Sequence, residues 1–94
     1  MSDAAFEWHD HKNRENRRKH GVSFEEAQTA FLDENGKVYF DPDHSEEEDR
    51  FLFLGISFSF RVLVVCHCYR QNDTVIRIIS ARKADKREQD DYWS

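Results

Sequence analysis

The stretch VIRIISARKADK, residues 75–86, begins with β-branched side chains and ends in a run rich in cations. Its first half is typical of a half-buried strand, yet Arg77 lies at the centre of that half. A guanidinium keeps its charge at physiological pH, so burying it costs free energy unless an anion pairs with it. The stretch therefore predicts a strand that presents a permanent cation to water or to an anionic partner.

Two apolar segments, residues 50–56 and 61–69, precede this strand at short intervals. Loops of hairpin length separate the three segments, and connections that short join antiparallel strands. A shorter strand is predicted at residues 38–40, before a proline-containing loop and an acidic run at residues 46–49. The sequence thus predicts a four-stranded antiparallel sheet.

Two helices are predicted before the sheet. Residues 9–21 contain no large apolar side chain, so we expect a solvated helix that is capped by Asp10 and ends at Gly21. Ser23 and Glu26 have the spacing of a capping box, which predicts that a short amphipathic helix begins there.

A closing helix is predicted at residues 81–92, with Ser80 as its cap. The fold class is therefore α+β, with two N-terminal helices, a four-stranded antiparallel sheet and a C-terminal helix. Because 94 residues leave room for one small core, we expect a single domain over residues 1–94.

The net charge of −5 conceals a segregation along the chain. Residues 1–30 carry five Lys and Arg against six Asp and Glu, residues 31–49 carry one against eight, and residues 50–94 carry eight against five. The acidic groups are concentrated in the middle and the cations at the two ends, a distribution that bears on partner choice more than the total does.

The start, MSDAAFEW, lacks the basic and then apolar pattern of a secretory leader, and polar residues interrupt every apolar segment. We therefore expect a cytoplasmic protein without membrane association. Cys66 and Cys68 lie two apart in one strand and are expected to be reduced thiols. Neither the cysteines nor the pair His9 and His11 has the spacing of a zinc site, so no metal or other cofactor is expected.

Five blocks of sequence, in their order and spacing, resemble the BrnT family of bacterial type II toxins. These blocks are FEW at 6–8, KHGVSFEEA at 19–27, DPDHSEEEDRF at 41–51, LVVCH at 63–67 and IRIISARKADKRE at 76–88. The resemblance implies a RelE-like fold and a ribonuclease activity that blocks translation. It also implies neutralisation by a cognate BrnA antitoxin, a DNA-binding repressor, so we expect a hetero-oligomer that meets operator DNA only through the antitoxin.

RNA can be cleaved without a metal when its own 2′-hydroxyl attacks the adjacent phosphorus. The reaction needs a base near the hydroxyl, cations near the phosphorus and a proton donor for the leaving oxygen. We assign catalysis to Arg77 as the cation and to His67 as the acid or base, because histidine titrates near neutrality. The candidates for binding the substrate are Lys19, His20, Arg50, Arg82 and Lys83. Glu48, Lys19 and His20 are alternative groups for proton transfer.

Whether the two catalytic candidates meet depends on one loop. If the loop between the last two strands holds two residues, His67 and Arg77 point to opposite faces of the sheet. If it holds three, residues 71–73, the two side chains lie together on one face. We favour the three-residue loop, because Asn72 and Asp73 tolerate the left-handed conformation that such a turn requires.

Two alternatives to a nuclease stay open. A catalytically silent protein-binding module that acts only within a repressor complex is compatible with the net charge of −5, which does not favour association with RNA. Direct binding to DNA as a repressor is disfavoured, because no predicted helix combines basic residues with the core pattern of a helix-turn-helix.

Overall fold

The computed structural model describes residues 5–44 and 47–94, and it confirms the α+β class. Residues 45 and 46 of the predicted loop and acidic run, and residues 1–4 of the amino terminus, lie outside the described residues. The elements are β1 (Ala5–Glu7), α1 (Asp10–His20), α2 (Phe24–Ala30), β2 (Lys37–Phe40), a 3-10 turn (Pro42–His44), β3 (Phe51–Ile56), β4 (Val62–Arg70), β5 (Val75–Lys83) and α3 (Lys86–Trp93).

The sheet differs from the prediction in the number and direction of its strands. It has five strands in the order β1-β5-β4-β3-β2, and β1 runs parallel to β5 whereas the other neighbours are antiparallel. The prediction of four antiparallel strands is therefore wrong. The three residues of β1 are too few to show a strand period, and they become a strand only by pairing with β5 across the chain.

The sheet separates two layers of packing. Its inner face contacts α1 and α2, and its outer face is partly covered by α3. The inner core contains Val22, Phe24, Ala27, Ala30, Phe53, Leu63, Val65, Ile78 and Ala81. The smaller outer core contains Leu54, Val62, Val64, Ala84 and Tyr92. Because α3 packs on these residues, the opposite end of the outer face, where β4 ends and β5 begins, lies beyond that core.

Helix α1 attaches to the sheet through amide groups rather than through apolar side chains. Asn16 is buried, and its Nδ2 donates to the carbonyl oxygens of Val22, at 2.8 Å, and Ala81, at 2.7 Å. Its Oδ1 accepts from the backbone N–H of Ala81 at 3.1 Å. Since β1 ends at Glu7, Asn16 takes the place of a strand on this edge of β5.

The boundaries of α1 and α2 agree with the sequence, although one cap differs. Gly21 ends α1 in the left-handed conformation with φ of 68°, as expected, but His9 rather than Asp10 is the N-cap residue. At α2 the Oγ of Ser23 accepts from the backbone N–H of Glu26 at 3.0 Å, as a cap does. The Glu26 carboxylate binds Arg61.

The closing helix begins later than predicted. β5 continues to Lys83, and Asp85, not Ser80, caps α3. The cap is a full capping box: Glu88 N–H donates to the Asp85 carboxylate at 2.8 Å, and Asp85 N–H donates to the Glu88 carboxylate at 2.9 Å. The prediction of a helix from residue 81 is wrong, because β4 pairs with β5 through Lys83.

Candidate active site

The strand register places the two predicted catalytic residues on opposite faces of the sheet. Cys68 of β4 is the partner of Arg77, whereas His67 is the partner of Ile78; the next pair, Cys66 and Ser80, skips Ile79, which is a bulge in β5. The turn holds four residues, 71–74, and its first three are in the left-handed conformation, with φ of 51°, 57° and 67°. Neither loop length considered above is correct, and the prediction that His67 lies beside Arg77 is wrong.

His67 belongs to the inner core. Its side chain has no exposed surface and lies among the rings of Phe31, Phe51 and Tyr69, at centroid distances of 4.9, 6.1 and 5.4 Å. Its Nδ1 is 3.1 Å from the carbonyl oxygen of Val65, and its Nε2 has no hydrogen-bond partner within the described part of the chain. Burial lowers the pKa of His67, so the ring is neutral at pH 7.

Arg77 lies on the outer face together with two residues from the start of the chain. Its Nε donates to the carboxylate of Glu7 at 2.6 Å, and its Nη1 is 3.4 Å from the Nε2 of His9. Glu7 is the strand partner of Arg77, and His9 follows directly after β1. The Arg77 side chain is 28% exposed, so it is half-buried but open to a ligand.

Glu48 extends this cluster along β4. Its carboxylate accepts from the Nη1 of Arg70 at 2.9 Å and from the thiol of Cys68 at 3.5 Å. Burial, and then Glu48, raise the pKa of the Cys68 thiol. Because Cys68 is the strand partner of Arg77, Glu48 lies close to the group formed by Glu7, His9 and Arg77.

Arg82 forms an ion pair with the helix that follows it. Its two Nη atoms donate to the two carboxylate oxygens of Glu88, at 2.7 and 2.8 Å, and this pair lowers the pKa of Glu88. Arg77 and Arg82, the cations that the sequence assigns to catalysis and substrate binding, are therefore both paired with carboxylates of the domain itself. Each guanidinium has a carboxylate partner, and Arg82 joins the end of β5 to the start of α3.

Arg50 also belongs to the outer face. It acts electrostatically on Cys66, a half-buried thiol of β4 whose pKa burial raises. Its carbonyl oxygen accepts from the N–H of Asp41 at 2.8 Å, which extends the pairing of β2 with β3. Arg50, which directly precedes β3, thus lies on the same face of the sheet as Arg77 of β5.

The other predicted substrate-binding residues are not part of this cluster. Lys19 and His20 are exposed in the last turn of α1, on the inner side of the sheet. Lys83 is the strand partner of Leu63, whose side chain is in the inner core, so Lys83 points away from the outer face.

We call Glu7, His9, Glu48, Arg70 and Arg77 the outer-face cluster. It combines two guanidiniums, which suit a phosphate, with an imidazole and two carboxylates, groups that suit proton transfer. His9 was not a catalytic candidate in the sequence, since its position beside Arg77 depends on β1. Within residues 5–44 and 47–94, no three His, Cys, Asp or Glu side chains are arranged to hold a metal ion. In the same ranges, no helix has the length and apolar character to span a membrane.

Comparisons with known proteins agree with this architecture. The crystal structure of the Brucella abortus ribonuclease toxin BrnT, at 1.1 Å resolution, superposes with a TM-score of 0.66 and 20% identity, over 88% of this chain and 99% of that one. This likeness shows the fold alone. No curated protein sequence matches the chain. The family described as ribonuclease toxin, BrnT, of type II toxin-antitoxin system matches residues 8–88. The chain therefore belongs to the BrnT family of ribonuclease toxins of type II toxin–antitoxin systems.

Proposed function

We propose that the chain is a metal-independent endoribonuclease that cleaves RNA at the outer-face cluster and thereby inhibits translation. The RNA 2′-oxygen bonds to the adjacent phosphorus as the bond from phosphorus to the 5′-oxygen breaks, which leaves a 2′,3′-cyclic phosphate and a 5′-hydroxyl. The observation that carries the proposal is the meeting of Arg77 and His9, at 3.4 Å, on a face of the sheet that RNA can reach.

The geometry suggests a role for each group. Glu7 holds the Nε of Arg77, which orients the Nη atoms toward the phosphate, where negative charge grows in the transition state. His9 and Glu48 are the two groups of the cluster that can exchange protons with the 2′-hydroxyl and the leaving 5′-oxygen. His67 is proposed as a core residue instead, because a ring with no exposed surface cannot reach the substrate.

The proposed partner is a BrnA-like antitoxin that binds operator DNA on behalf of the complex. Support for a protein partner comes from an apolar patch around the β3–β4 turn. There Phe58, Phe60 and Trp93 are 70%, 86% and 68% exposed, and Leu32 is 67% exposed. Large apolar side chains grouped on a surface mark sites of association more often than chance. Loss of antitoxin binding by a Phe58→Ser, Phe60→Ser variant would support this surface, and unchanged binding would exclude it.

A short RNA tests the proposed chemistry directly. Wild-type protein in excess EDTA should cleave it to ends carrying 2′,3′-cyclic phosphate, and a single 2′-deoxy substitution at the cleaved position should stop the reaction. His9→Ala should slow cleavage about a hundredfold or more, as loss of a proton-transfer group does. Lys86→Ala is the matched control, because Lys86 is an exposed cation of α3 outside the cluster.

A catalytically silent module is the second candidate, and one observation favours it. The guanidiniums of Arg70, Arg77 and Arg82 already have carboxylate partners, so a phosphate must compete with Glu48, Glu7 or Glu88. Intact RNA after incubation with wild-type protein, both alone and in a translating extract, would contradict the nuclease and favour the silent module.

A further inference from the structure

We propose that a cavity at the end of the sheet, next to Glu48, binds a guanine base of the RNA substrate. The cavity has a volume of about 510 Å³ and lies where β3 begins and β4 ends. Its lining residues are Glu48, Asp49, Phe51, Tyr69 and Asp73. A volume in this range suits a small organic ligand. The inference rests on the proposed function only in naming RNA as the molecule that supplies the base.

Two aromatic rings form walls that suit a planar base. The centroids of Phe51 and Tyr69 are 5.4 Å apart and their planes meet at 64°. A base stacked on one ring therefore meets the other ring with its edge. The buried ring of His67 contacts both walls from behind, at 6.1 and 5.4 Å, and holds them in place. Exposed aromatic side chains on a sheet are a common way of binding unpaired RNA bases.

The three carboxylates decide which base fits. An ionised carboxylate only accepts hydrogen bonds, and its two oxygens match two adjacent donors. The Watson–Crick edge of guanine presents N1–H and N2–H side by side. Adenine and cytosine each place an acceptor beside their amino group, and uracil flanks its single N–H with two carbonyls. Glu48 is held by Arg70, so Asp49 and Asp73 are the groups that can receive guanine.

The acidic lining also excludes the phosphate backbone from the cavity. Asp73 is near enough to Tyr69 to act electrostatically on its phenol, so a base stacked on Tyr69 lies beside that carboxylate. Glu48 belongs to both the cavity and the outer-face cluster, where it binds Arg70 at 2.9 Å. Phe51 and Tyr69 lie on the inner face with His67, so the cavity is at the end of the sheet, and Glu48 is the residue that it shares with the outer-face cluster.

Binding to RNA that cannot be cleaved tests this site separately from catalysis. Two labelled 2′-O-methyl oligonucleotides are compared, identical except that one carries inosine, which lacks the N2 amino group, in place of a single guanosine. Wild-type protein should bind the guanosine oligonucleotide about tenfold more tightly, the effect of one hydrogen bond to a charged group. Tyr69→Leu should weaken binding of both about tenfold, since a stacking surface is lost.

The carboxylate variants carry the specificity test. Asp73→Asn, alone or combined with Asp49→Asn, should bring the guanosine and inosine affinities together. Asp90→Asn removes the same charge from α3, outside the cavity, and should leave their ratio unchanged. Equal affinities for the two oligonucleotides in the wild type, a ratio that survives the double variant, or no binding at all would overturn the guanine site. Specific binding without cleavage of ordinary RNA would instead uphold the site and contradict the nuclease.

Discussion

Replacing Asn16 by alanine should destabilise the domain strongly, although the residue lies in a helix without apolar residues. The substitution removes three hydrogen bonds, of 2.7, 2.8 and 3.1 Å, from a side chain that is 6% exposed. It leaves two carbonyl groups and one N–H without their partner. At about 1 kcal/mol or more for each buried group that loses its partner, the cost is at least about 3 kcal/mol. That is a large share of the roughly 5–14 kcal/mol expected for a chain of this length.

Urea unfolding and thermal melting would measure this loss. For a domain of this size, about 3 kcal/mol corresponds to a fall in Tm of roughly 12–24 °C. Asn35→Ala is the matched control, because Asn35 is exposed and its hydrogen bond to Asp33 uses the backbone N–H, which the substitution keeps. Hydrogen exchange at the Ala81 amide should accelerate in Asn16→Ala alone. If both variants were equally stable, Asn16 would not take the place of a strand on β5.

Three further predictions concern stability and pH. Burial lowers the pKa of His67 in the folded state below its ordinary 6.5, so the unfolded chain takes up the proton first as pH falls. The free energy of unfolding measured with urea should therefore fall as pH drops below about 6.5, and His67→Phe should flatten that dependence. Burial and the hydrogen bond to Asp33 raise the pKa of Tyr92 to about 12, so stability should decline as pH rises from 10 to 12. Tyr92→Phe should make this decline shallower in the unfolding curves. Asp85→Ala should cost about 1 kcal/mol in thermal melting and Ser80→Ala much less, because Asp85 caps α3; equal losses would contradict that assignment.

Local patterns in the sequence were sufficient for most of the fold. The capping spacing of Ser23 and Glu26, Gly21 after a polar helix, and the apolar runs of β3, β4 and β5 each depend on neighbours in the chain. β1 was missed because three residues have no period, and its pairing partner lies 70 positions away, as between Glu7 and Arg77. The sequence prediction starts α3 too early, because the last residues of β5, up to Lys83, are charged like the residues of the helix that follows.

Part of the candidate site was also predictable from patterns that are local in the sequence. Arg77 was found because a permanent cation in an apolar strand is a local anomaly that calls for an anion. Its actual partner in the domain, Glu7, and its neighbour His9 come from β1 and could not be found without that strand. His67 is on the face opposite to the predicted one, because the turn holds four residues, and a turn with three consecutive left-handed residues has no reliable sequence signal.

The most direct test of the account compares single-turnover RNA cleavage by Arg77→Gln and His67→Phe, each first shown to be folded by circular dichroism. The outer-face cluster predicts that Arg77→Gln slows cleavage about a hundredfold or more, as loss of a group that stabilises transition-state charge does, while His67→Phe cleaves at nearly the wild-type rate. The opposite pattern, with Arg77→Gln active and a folded His67→Phe inactive, would contradict the assignment of the chemistry to the outer face.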